Sequence, residues 1–81
     1  MSTNVEAVRQ GLLKFMAKKG GSVPLRELHT HSLLFYQAGH QAFSQIMEGL
    51  VADELVTYQD EERVFLLTEK GRASLSSEAS S

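Results

Sequence analysis

Val64-Phe65-Leu66-Leu67-Thr68-Glu69-Lys70-Gly71-Arg72 is the stretch that decides the fold. Four β-prone residues run into a threonine, and a threonine in that place is a helix N-cap, because its hydroxyl takes up one of the orphan backbone N–H groups. The stretch reads as a strand that hands over to a last helical turn or two, Glu69 to Leu75. Just upstream, Asp60-Glu61-Glu62 is a polar turn and Leu55 to Tyr58 is again β-prone, which makes a hairpin with a short acidic loop. A two-stranded hairpin is marginal alone and needs a helical layer over one face. Leu55 or Val56, with Val64 or Leu66, is expected to close over Val8, Leu12, Phe43 and Met47.

That layer is written in helical spacing. Phe43, Ile46, Met47 and Leu50 recur on one face with Val51 alongside, and Gln41, Ser44, Gln45 and Glu48 occupy the other. The pattern predicts an amphipathic helix over 39–53. Gly49 inside it costs up to about 1 kcal/mol against alanine, so a close approach to another element is expected there. Nearer the N-terminus, Thr3-Asn4-Val5-Glu6 is a capping box, and Val5, Val8, Leu12, Phe15 and Met16 form one stripe. Gly20-Gly21 ends this first helix, over 3–19, after Lys18 and Lys19 at its negative end. Ser22-Val23 reads as an isolated extended residue or two. Pro24 suits a first helical turn, so a short second helix is expected over 24–31 with Leu25 and Leu28 inward. Leu33-Leu34-Phe35-Tyr36 either extends that helix or forms a buried connector. Two of its four residues are expected in the core, and any exposed part is expected to be a partner surface, such as a homodimer contact.

A chain of 81 residues fits one domain, over 3–75, with a Ser-rich tail at 76–81 expected to be disordered. At this size folding buries roughly 60% of the unfolded chain's surface, and 42% apolar residues can supply so modest a core. The absence of cysteine excludes disulfides and thiolate metal sites and fits a reducing cytoplasm. The long uncharged stretch Ser32 to Met47 is broken by Gln37, Gly39, His40, Gln41, Ser44 and Gln45, so no membrane span is expected, and the first residues do not read as a signal peptide. A cytoplasmic location is the expectation. The net charge of −2 weighs against nucleic acid, whose binding rests on cations against phosphate.

The order helix, extended piece, helix, helix, hairpin, short helix resembles that of the winged-helix, or winged helix-turn-helix, superfamily. Ile46-Met47-Glu48-Gly49-Leu50-Val51-Ala52-Asp53-Glu54-Leu55-Val56 looks like the end of the family's recognition helix running into its first wing strand. The opening stretch looks like the second wing strand and the Leu-Thr-x-x-Gly-Arg segment that follows it in many members. The resemblance covers about residues 5–75 and implies an α+β, mainly α fold: a three-helix core, a β-hairpin wing and a short C-terminal helix. A fainter similarity, carried by the end of the third helix, is to the small D protein of the dissimilatory sulfite reductase operon.

The resemblance implies double-stranded DNA as partner and transcriptional regulation as role, with the third helix as reader. The residues this singles out are His40, Gln41, Ser44 and Gln45 on that helix, with Arg63 of the wing and Arg26 as phosphate contacts. Against it stand the lack of any Lys or Arg on the third helix and the carboxylates of the wing tip. They favour the alternative, a module that docks a protein partner through its acidic wing or an apolar surface. Lys14, Lys18, Lys19, Arg26, Lys70 and Arg72 read residue by residue as solvated or helix-end charges. His29 and His31 point about 200° apart on a helix, which is wrong for shared ligation, so no metal site is expected. No glycine-rich phosphate loop or nucleophile elbow occurs, and the sequence implies neither an enzyme nor a cofactor.

Overall fold

Helix α1 (Val5–Lys18) forms where the first apolar stripe predicts it. Its buried side chains are Val8, Leu12, Leu13 and Met16, while Val5 is exposed and Phe15 half-buried, so the stripe is wider than the spacing suggested and turned toward Leu13. The computed structural model describes residues 5–79, and the Thr3 half of the capping box lies outside them. The helix ends as the glycines require. Gly20 takes φ +93°, its N–H donates to the Ala17 carbonyl at 3.1 Å, and the Gly21 N–H donates to the Met16 carbonyl at 2.7 Å, the paired bonds of a Schellman end.

The isolated extended piece expected at Ser22-Val23 is corrected: strand β1 (Ser22–Pro24) pairs antiparallel with β3 (Val64–Leu67), which also pairs with β2 (Val56–Gln59). The order β1-β3-β2 makes a three-stranded sheet. Pro24 is also corrected. It does not open the second helix but ends the edge strand in extended conformation (φ −62°, ψ 147°), a position where a missing N–H breaks no ladder.

Helix α2 (Leu25–Tyr36) runs past the expected 24–31 because the apolar run Leu33 to Tyr36 extends it. The expectation that two of those four are core is overturned. Leu33, Leu34 and Phe35 are 47%, 71% and 70% exposed, and Tyr36 alone of the four packs on the core, its hydroxyl set against Gly11 where a Cβ has no room. Helix α3 (His40–Ala52) buries Phe43, Ile46, Met47 and Leu50 as predicted. Gly49 is not at a close approach. A Cβ there meets only Arg9 Nη1, at 3.8 Å.

In the sheet, Val56, Phe65 and Leu67 face the core, whereas Val64 and Leu66 are half-buried, one residue off the expected register. The pairing explains it. Val23 lies opposite Phe65, and directly opposed residues share a face, so buried Val23 takes Phe65 in with it. Thr68 caps helix α4 (Glu69–Ala79) by accepting from the Gly71 N–H at 3.0 Å. The helix runs past Leu75 to Ala79, and residues 80 and 81 of the expected tail lie outside the described part. Among the described residues no helix is long and apolar enough to cross a membrane.

Candidate nucleic-acid interface

Between the start of α2, the first turns of α3 and the hairpin turn lies a groove of about 460 Å³. Helix spacing fills two of its walls: Arg26, His29 and Thr30 share one face of α2, and His40 and Ser44 share one face of α3. The third wall is the turn, with Glu62 and Arg63. Arg63 adopts φ +54°, and its carbonyl accepts the Leu25 N–H at 2.9 Å. That bond fastens the hairpin turn to the first residue of α2, beside Arg26. Phe43 belongs to both the groove lining and the core, and the His29 ring meets its edge at 5.1 Å between centroids, with the His40 ring 5.6 Å away. His29 Nε2 is buried and has no hydrogen-bond partner among the described residues.

Ion pairs hold several of the cations outside this groove, though Lys18 forms none among the described residues. Elsewhere Arg9 pairs with Asp53 at 2.5 Å, Lys19 with Glu27 at 3.0 Å and Lys70 with Glu54 at 3.8 Å, while Arg72 donates to the Gly20 carbonyl at 3.4 Å. Arg26 and Arg63 form no ion pair among the described residues, and the groove's one carboxylate is Glu62. Two guanidinium groups, the exposed His40 imidazole and the Ser44 hydroxyl are donors of the kind that hold phosphate oxygens.

The structure therefore gathers Arg26, His40, Ser44 and Arg63 of the expected set. Gln41 is exposed on the outer face of α3, outside the groove. Gln45 is separated from them, lining a hollow of about 130 Å³ with Arg9 and Ile46 on the α1 side. His29 and Thr30 were not singled out from the sequence, although their offsets of three and four from Arg26 were the signal that they share its face. His31 lies apart, its ring stacked between Phe15 and Phe35. Next to the groove, α3 and the hairpin enclose an apolar trough of about 430 Å³ with Met47, Val51, Tyr58 and Phe65 in its lining, continuous with the groove through Leu25 and Phe43.

No family model and no curated protein matches the chain. Among solved structures it is similar to F93 from STIV, a winged-helix DNA-binding protein, with a TM-score of 0.70 at 15% identity, over 99% of this chain and 89% of that one. The likeness lies in the backbone, and it takes in the helices, the three-stranded sheet and the hairpin together. The chain has the winged-helix fold, α+β and mainly helical.

Proposed function

We propose that this chain binds double-stranded DNA as a small transcriptional regulator, with the outer face of α3 toward the major groove and the Arg26–Arg63 groove against the backbone. The observation that carries the reading is that Arg26 and Arg63, from distant parts of the sequence and without an ion pair among the described residues, line one groove with His40 and Ser44. The similar solved structure is described as DNA-binding, which supports the same direction. The reading goes with a cytoplasmic location and assigns no catalytic step and no cofactor. The test is binding of a mixed-sequence duplex, followed by fluorescence anisotropy across a salt series. Affinity is expected to fall steeply with salt, and Arg26→Ala and Arg63→Ala each to lower the slope of log K against log salt by about 1. Absence of binding at low salt ends this reading.

A second reading, docking of a basic protein partner, is favoured by one specific feature: the exposed Asp60, Glu61 and Glu62 stand at the end of the hairpin that walls the apolar trough. Charge reversal at these three positions is then expected to release the partner. No comparison bears out the similarity to the sulfite reductase D protein, and it transfers no role, because Val51-Ala52-Asp53-Glu54-Leu55 is accounted for as the end of α3 and the turn after it.

A further inference from the structure

The groove and the trough beside it differ in chemistry but share Leu25 and Phe43, so they form one continuous depression along α3. One end holds Arg26 and Arg63, neither in an ion pair among the described residues, against the single carboxylate of Glu62. The other end is walled by Met47, Val51 and Phe65. Val51 and Tyr58, which also lines the trough, are large apolar residues left 41% and 37% exposed. The volumes of about 460 and 430 Å³ each fall in the range of roughly 300–1,000 Å³ usual for small-molecule sites. From His40 to Val51 the path follows α3 for about 16 Å, at 1.5 Å per residue.

A duplex uses this shape only in part. Its phosphates suit the arginine end, but sugars and thymine methyl groups are all it offers to the apolar end. We propose that the joined groove and trough bind a single-chain amphiphile with an anionic head, a medium- to long-chain fatty-acid anion. Its carboxylate lies between Arg26 and Arg63, and its tail runs along Met47, Val51 and Phe65.

Charge sets the direction of the ligand. Guanidinium groups offer a carboxylate paired, charge-assisted hydrogen bonds. Glu48 is exposed in the lining of the trough and repels a head placed at that end. The tail contributes by leaving water, and each methylene covered strengthens binding by up to about fourfold. Binding of the amphiphile stands on these features alone. Its consequence for DNA rests on the proposed function: head and duplex phosphate need the same two arginines, so the ligand releases the duplex.

The test is titration of the isotope-labelled full chain with sodium dodecanoate below its micelle concentration, followed by NMR. Amide shifts are expected at both ends of the depression, at Arg26 and Arg63 and at Val51 and Tyr58. The melting temperature is expected to rise, because the ligand binds the folded chain. Affinity should increase at least tenfold from octanoate to dodecanoate. Arg26→Gln combined with Arg63→Gln should weaken dodecanoate binding at least tenfold, and so should Val51→Asp, with circular dichroism to check folding. Should Val51→Asp not fold, the chain-length series and a cationic control on the parent chain decide. Equal affinity for octanoate and dodecanoate overturns the proposal, because the head alone then binds. Equal affinity for dodecyltrimethylammonium overturns it as well, because the arginines then select nothing. A fall in melting temperature marks unfolding by a detergent and overturns it too. Failure in these arms leaves the anisotropy series untouched, and a chain that binds no duplex can still pass every one of them.

Discussion

Gly71 lies so close to the carbonyl oxygen of Leu55 that a Cβ on it has no room, with Leu67 Cδ1 only 2.7 Å from the same point. The first turn of α4 is thereby set on the exit of α3. Thr68 adds polar contacts, its hydroxyl 2.7 Å from the Glu54 carbonyl and 2.9 Å from that of Leu55, and its own N–H donating to Leu55 at 3.1 Å. Gly71→Ala is expected to cost about 1–3 kcal/mol, the usual penalty for overfilling a packed site. Gly49, inside α3 where a Cβ meets only Arg9 Nη1 at 3.8 Å, is the control, and Gly49→Ala should gain up to about 1 kcal/mol. Urea unfolding of both variants makes the comparison.

Glu54 occupies the left-handed region at φ +63°, where glycine is at ease and other residues are strained. Its N–H bonds to Val51 and that of Leu55 to Leu50, so the turn is a Schellman end without the glycine. The ion pair it forms with Lys70 is long and exposed and contributes little. Glu54→Gly is expected to raise stability by up to about 1 kcal/mol, and Glu54→Val to lower it by a similar amount, read as shifts in the denaturation midpoint.

On the DNA-binding reading, the division of α3 between two hollows separates its polar residues. His40→Ala and Ser44→Ala should weaken duplex binding at the groove, and Gln41→Ala with Gln45→Ala, exposed on the outer face of α3, should reduce sequence preference. Unchanged affinity and preference in all four variants in the anisotropy assay would place the contact elsewhere than α3.

Burial beside Phe15 and Phe35 lowers the pKa of His31 below its ordinary 6.5. The unfolded chain then takes up this proton at higher pH than the folded one, so the unfolded state gains as acid is added. Stability is expected to fall as pH drops through about 6.5 and to level off below the folded value. His31→Gln should flatten that part of the profile in melts taken at a series of pH values.

The sequence was most legible where one physical signal had no rival. The stripes of α1 and α3, the Gly-Gly stop and the Thr68 cap each follow from local chemistry. Val64 to Leu67 is apolar at every position, so it carries no alternation, and only the pairing of Phe65 with Val23 decides which side faces in. Pro24 fits a first helical turn as well as an edge strand, and the bond from Leu25 to Arg63, far along the chain, selects the strand. Leu33, Leu34 and Phe35 look like core by composition, and nothing local marks them as exposed. The site divided in the same way. Helix spacing put His40 with Ser44, but the meeting of Arg26 and Arg63 depends on the third strand, which the sequence did not announce.

That bond between the Leu25 amide and the Arg63 carbonyl also bears on how a duplex would be met. A hairpin tip joined only to its own strands must lose conformational freedom when it docks, and that loss is subtracted from affinity. Here the turn is already anchored to the helix that carries Arg26, so the distance between the two guanidinium-bearing backbones is set at folding. On the DNA-binding reading, what remains to be ordered on docking is the two arginine side chains and not the turn that carries one of them, so loosening the turn should cost affinity even where no base is touched.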